Sequence, residues 1–141
     1  RGIEFEEECY KGNTPVSPII KDGVFQVVGM KKVVVEDMEF LMYGRLDVLK
    51  GGVIYDIKRV SSYHPQKYIG SFQHGFYMDL FPRAKKFKYL PFDDKEKLHE
   101  EVYYRDQYPQ TTQVIAWFIK WLKENNLLEL YKEKWVSKSG R

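Results

Sequence analysis

The residues best able to do chemistry lie in Gly44-Arg45-Leu46-Asp47-Val48-Leu49-Lys50-Gly51-Gly52-Val53-Ile54-Tyr55-Asp56-Ile57-Lys58. Gly51-Gly52 suits a two-residue hairpin turn, which pairs Lys50 with Val53 and sets Asp47 opposite Asp56. Facing residues of a ladder hold their Cβ atoms roughly 4.5–5.5 Å apart, and two carboxylates so placed repel unless something neutralises them. A hard divalent cation would do so, since ions such as Mg²⁺ take oxygen ligands and need only one or two protein carboxylates beside substrate phosphate oxygens. Side chains alternate along a strand, so Lys58 shares the face of Asp56 while Tyr55 and Ile57 point away. Its amine is placed to orient or help deprotonate a water, or to stabilise charge developing on phosphorus. Two acids, a metal and an amine on one patch make a site for phosphodiester hydrolysis. The same register sets Arg45 opposite Lys58, so a solvated charge checkerboard is the other reading, and spacing alone does not choose between them.

The elements that must position these residues read as a mixed α/β domain. Ile3 and Cys9-Tyr10 suit one side of an opening helix that Gly12-Asn13-Thr14-Pro15 ends. Phe25–Val35 and Phe40–Leu49 are rich in β-branched and aromatic residues and predict strands, followed by a third over Val53–Arg59. Pro65 suits the first position of a helix running to about Leu80, stopped by Pro82. Phe87–Pro91 and Glu101–Tyr104 are weaker strand candidates. Thr111 or Thr112 is expected to cap a helix whose Val114, Ile115, Phe118, Trp121 and Leu122 face the core, before a last short helix over Leu127–Trp135.

Composition narrows the function classes. The 141 residues suit a single domain spanning 1–141, and an aromatic content of 16% is ample for a real core. No apolar run approaches the ~20 residues of a membrane-spanning helix, so no membrane partner is expected. The single cysteine, Cys9, excludes an intramolecular disulfide, a four-cysteine zinc site and a cysteine-held iron–sulfur cluster. A net charge of +3 permits nucleic-acid binding without arguing for it. The chain opens within what reads as a helix, and we expect an upstream segment to precede it.

Taken together, Gly44-Arg45-Leu46-Asp47, Ile54-Tyr55-Asp56-Ile57-Lys58 and Gln73-His74-Gly75-Phe76-Tyr77 resemble the PD-(D/E)XK nuclease superfamily, most nearly its RecB-like and lambda-exonuclease-like branch. That branch carries G-x-x-D, then (D/E)-x-K, then Q-x-x-x-Y on the following helix. Upstream, Arg1-Gly2-Ile3-Glu4-Phe5-Glu6 is similar to the R-G-x-x-x-E of the lambda-type enzymes. The four blocks keep the family's order from Arg1 to about Leu80; nothing from Lys85 onward carries a motif. The resemblance implies a restriction-endonuclease-like α-β-β-β-α-β core, here with extra C-terminal helices. It implies Mg²⁺ or Mn²⁺ held by Asp47, Asp56, the backbone carbonyl of Ile57 and Glu6, with Lys58 as the catalytic lysine. Gln73 and Tyr77, one helical turn apart, are expected near the lysine or the substrate backbone. The RecB side of the family often carries histidine in the place of Glu6, and some relatives hold an iron–sulfur cluster that Cys9 alone cannot supply.

The remaining candidates are weaker. His64, His74 and His99 lack zinc spacing, and Cys9 has no partner in sequence to activate it. The run Arg83-Ala84-Lys85-Lys86-Phe87-Lys88 suits either phosphate contacts or a solvated loop. The expected function is metal-dependent DNA hydrolysis, by an exonuclease of recombination, repair or phage type. Such a protein acts in a bacterial or phage-infected cytoplasm, as a homo-oligomer or within a larger recombination complex. A nuclease-fold module that binds nucleic acid without cutting is the alternative.

Overall fold

A computed structural model describes residues 2–107 and 109–133. Its elements are α1 (Gly2–Tyr10), α2 (Ser17–Ile20), β1 (Val24–Val35), β2 (Met38–Lys50), β3 (Val53–Arg59), α3 (Gln73–Leu80), β4 (Lys86–Phe92), β5 (Glu101–Tyr104), α4 (Thr111–Glu124) and α5 (Leu128–Tyr131). They build a five-stranded mixed sheet in the order β1-β2-β3-β4-β5. β1, β2 and β3 are antiparallel neighbours, β3 and β4 run parallel, and β5 returns antiparallel. A parallel pair needs a crossover, and the segment containing α3 supplies it.

Two tight reversals set the register. Gly51 and Gly52 adopt φ of 58° and 75°, the left-handed pair a two-residue hairpin turn demands, and Lys50 pairs with Val53 as expected. Glu36 and Asp37, at φ 49° and 65°, turn β1 into β2 in the same way.

Each face of the sheet has its own core. On one, Cys9 of α1, Val16 just before α2 and Ile20 of α2 pack on Val48, Val53, Tyr55, Ile57 and Leu90. On the other, Met78 of α3 packs with Leu46, Ile54, Phe87 and Tyr89. Farther out, Leu80 packs with Val33 and Met42, and Ile115 of α4 joins them. Fully burying an aliphatic or aromatic side chain of this size contributes about 1.5–3 kcal/mol, so the two layers rather than any turn hold the sheet.

Strict alternation fails at one place. Phe25 and Val48 belong to the α1 layer, whereas Val27 and Leu46, two residues along their strands, belong to the α3 layer. Between them the β1–β2 ladder skips Gln26 and Asp47, and Gln26 takes a left-handed φ of 52°. The two strands therefore twist together through a shared kink, and the β2–β3 ladder stops at Val48↔Tyr55. Asp47 consequently does not sit opposite Asp56 in a regular ladder, which corrects the expectation from the hairpin.

Other expectations also change. The helix expected from Pro65 begins at Gln73; residues 65–70 form turns, and Ser71-Phe72 separates them from α3. Neither threonine caps α4: Gln110 is its N-cap, and the Thr111 amide donates instead to Asp79 of α3. Trp117, Phe118 and Trp121 are exposed, and Ile119 and Leu122 make the buried stripe of α4. The last helix covers Leu128–Tyr131, and Trp135, where it was expected to end, lies outside the described residues. Among the described residues no helix is long and apolar enough to cross a membrane.

Candidate functional site

Four elements bring their polar residues to one spot. The kink in β2 frees Asp47 from the ladder, and its Oδ2 accepts the Ile57 amide of β3 at 2.8 Å. Asp47 also comes within hydrogen-bonding reach of Asp56 and of Glu6 from α1. Lys58, two residues along β3 from Asp56, places Nζ 3.0 Å from Asp56 Oδ2. From the first turn of α3, Gln73 Nε2 donates to Asp56 Oδ1 at 3.0 Å. The structure thus assembles Glu6, Asp47, Asp56, Ile57, Lys58 and Gln73. Asp56 is only 7% exposed, so the solvated checkerboard does not describe it.

Tyr77 does something different. Its hydroxyl donates to the Arg45 carbonyl at 3.0 Å, anchoring α3 to β2 beside the acids rather than reaching Lys58. Gly44 makes that possible, because a Cβ there would come within 2.8 Å of Tyr77 Cε1 and 3.2 Å of Phe76 Cε1. The glycine of G-x-x-D therefore has a packing reason that is separate from the chemistry of Asp47.

Electrostatically the patch is strained toward protonation. Burial, then the neighbouring charges of Asp56 and Glu6, push Asp47 up to about 8. Burial raises Asp56 as well, and the Lys58 ammonium opposes that shift. Asp56 Oδ2 is buried and accepts no well-directed hydrogen bond, so the Lys58 charge is its main compensation. Unsatisfied buried carboxylate oxygens are costly, and a cation would relieve the cost. The donors are all oxygens, which suits Mg²⁺ or Mn²⁺ over softer metals. The set is not a closed cage: among the described residues no three His, Cys, Asp or Glu side chains are arranged to hold a metal ion. Glu6 is engaged by the Tyr10 hydroxyl. The fit is therefore to two carboxylates with a backbone carbonyl, Glu6 standing beside them.

Several candidates stay away. The basic run starts β4, where Lys86 pairs with Val53; Lys58 pairs with Pro91. Asp56 pairs with Tyr89, so three strand steps put Lys86 about 10 Å along the sheet from that acid. Lys88 in that run is occupied by Glu100 at 2.6 Å. His74 is buried, its Nδ1 against the Tyr89 hydroxyl at 2.8 Å, and His64 is exposed. Cys9 is buried, and burial pushes its thiol up.

Three contributors escaped the sequence reading. Tyr10 donates to Glu6 and also lies 3.2 Å from the Asp47 carbonyl. Gln26 supplies the left-handed residue of the kink and hydrogen-bonds Tyr10. Tyr68, stacked on Tyr89, lies close enough for the Asp56 charge to help raise its hydroxyl to about 12, after burial. Tyr10 follows Glu6 by four residues, which is the one signal that pointed to a pair on one helix face.

No family model and no curated protein matches the chain. Among solved structures it is similar to one described as the crystal structure of SSO0001, with a TM-score of 0.63 and 18% identity over 84% of this chain. The match covers 56% of that structure, so the chain spans a little over half its length. At 18% identity the likeness concerns the α/β fold alone.

Proposed function

We propose that the chain is a metal-dependent deoxyribonuclease domain built on a restriction-endonuclease-like core, an exonuclease by its resemblance to the lambda-type branch. The observation that carries this reading is the convergence of Asp47, Asp56 and Lys58 with Glu6 and Gln73, around a buried carboxylate oxygen lacking a hydrogen bond. The motif order and the α/β architecture support it as well.

In this reading Asp47, Asp56 and the Ile57 carbonyl hold Mg²⁺ or Mn²⁺, with Glu6 adjoining. Such an ion, when bound, supplies charge neutralisation at the phosphate and acidifies water. Asp56 is held in place by Gln73, and the Ile57 amide fixes Asp47. Lys58, freed from Asp56 as the carboxylate turns to other work, directs its ammonium at a non-bridging phosphate oxygen and stabilises charge growing there. A water oxygen bonds to phosphorus as the bond from phosphorus to the 3′ oxygen breaks; the water gives up one proton to solvent, and the 3′ oxygen takes one from solvent. The products are a 5′-phosphate and a 3′-hydroxyl, as the resemblance implies.

The test is incubation of the protein with end-labelled linear DNA and closed circular DNA in Mg²⁺, Mn²⁺ or EDTA, beside Lys58→Ala. Metal-dependent loss of the linear form, absent in the variant, is expected. Cutting of the circle would make the protein an endonuclease. Equal activity of the variant, or none with either DNA in any metal, would overturn the proposal.

A further inference from the structure

A cleft of about 540 Å³ does not open on the acids but lies against the other side of the first turn of α3. Ile69, Phe72, Phe76 and Tyr103 give it apolar and aromatic walls, and Ser71 and Thr111 add polar groups. Phe72 is 71% exposed and Ile69 60%, an unusual placement for side chains that gain by burial. Gln73 and Phe76 connect this cleft to the candidate site. The Gln73 side chain reaches Asp56, while its amide donates to Ser71 Oγ in the cleft wall at 3.1 Å. Phe76 packs edge to face on Tyr77, whose hydroxyl is bound to the strand of Asp47.

On the reading of the site as a deoxyribonuclease, we propose that this cleft receives a nucleobase of single-stranded DNA, next to the phosphodiester held at Asp47, Asp56 and Lys58. The occupant follows from the walls and their neighbour. A phosphodiester at the acids carries a base on each side, and a flat ring matches walls that are aromatic and only sparsely polar. The volume lies within the range of about 300–1,000 Å³ typical of small-molecule clefts and leaves room for one base. Phe72, with its ring turned out to solvent, is the stacking platform. A base can reach such a cleft only after leaving a duplex stack, which selects single strands and frayed ends. Ser71 and Thr111 meet the base edges without demanding one base over another.

The test measures binding in EDTA, so that nothing is cut. Fluorescence anisotropy compares an oligothymidylate of about 12 nucleotides with a fully abasic strand of equal length, for the wild type, Phe72→Ala and Phe72→Trp. The wild type should bind the base-bearing strand roughly 5- to 100-fold more tightly, Phe72→Ala should lose most of that preference, and Phe72→Trp should restore it. Thermal melting should show both variants folded, because Phe72 is exposed. Equal affinity of the wild type for both strands, or an unchanged preference in Phe72→Ala, would overturn the base site. If such a protein still cuts DNA in Mg²⁺, the nuclease reading stands alone; if it neither binds nor cuts, both fall.

Discussion

Two carboxylates in this protein are equally hidden and oppositely treated. Glu101 is 8% exposed and Asp56 7%. Glu101, on β5, accepts hydroxyls from Tyr63 at 2.6 Å and Tyr103 at 2.8 Å, and the Tyr68 amide at 3.1 Å. Burial works against its charge, yet those donors hold it below the usual carboxylate range. Asp56 has Gln73 on one oxygen, an ion pair without a directed hydrogen bond on the other, and a raised pKa. Depth therefore says little about the role of a buried acid; the number of its donors says more. The satisfied acid staples the 63–68 segment to the sheet. The half-satisfied one is held ready for something to bind.

The widest separation should come from two variants. Asp56→Asn should lower DNA cleavage by at least about 100- to 1,000-fold, the cost of removing one group that stabilises transition-state charge. It should leave the urea midpoint unchanged or raised, because Lys58, with a side chain 33% exposed, can turn its ammonium to water. Glu101→Ala should do the reverse at the level of the fold. It strands two hydroxyls and an amide and should cost about 2–4 kcal/mol in urea unfolding. An Asp56→Asn protein that unfolds, or a Glu101→Ala protein of wild-type stability, would erase the distinction.

Asp47 sharpens the comparison through pH. Its folded pKa of about 8 lies above the ordinary 3.8, so the folded chain binds the extra proton. The stability it contributes is whole below about pH 4 and is lost as pH rises through about 8. Glu101, with its depressed pKa, runs the other way and loses its contribution as pH falls. Asp47→Asn, which keeps an oxygen for the Ile57 amide, should therefore gain about 1–3 kcal/mol over the wild type near pH 8.5. That gain should shrink toward zero near pH 5. Urea midpoints at the two pH values check it, and a gain independent of pH would show that Asp47 is not the strained acid.

The parts legible in the sequence were those set by local rules. Gly51-Gly52 sets a register by turn chemistry alone, so Lys50↔Val53 and the shared face of Asp56 and Lys58 follow from short-range rules. The place of Asp47 does not, because alternation fails where Gln26 turns left-handed, and nothing in a Phe-Gln-Val run announces it. The start of α3 was obscured by Pro65, a good first helical residue whose segment goes instead to stapling Glu101. Arg105 is wholly nonlocal: its guanidinium gathers the carbonyls of Met78, Phe81 and Ala84 at the end of α3. Periodicity put Phe118 and Trp121 on the core face of α4, whereas the structure exposes both and buries Ile119 with Leu122, because the covering surface is set by nonlocal packing.

The smallest expected effect lies at the residue between the two acids. The Tyr68 amide serves Glu101, while its buried hydroxyl finds no hydrogen-bond partner and stands in the field of Asp56. Removing a satisfied hydroxyl and removing an orphaned one are different experiments at nearly the same place. Tyr63→Phe and Tyr103→Phe each delete a donor to Glu101 and should cost about 1–2 kcal/mol. Tyr68→Phe keeps the stack on Tyr89 and deletes only an unmet polar group, so its change should stay within about 0.5 kcal/mol and favour the folded chain. A loss comparable to that of Tyr63→Phe would mean that the Tyr68 hydroxyl has a partner in solution, a bridging water to Asp56 being the nearest such arrangement. Asp56 would then be better satisfied than its hydrogen bonds indicate, and the contrast with Glu101 would narrow by that one donor.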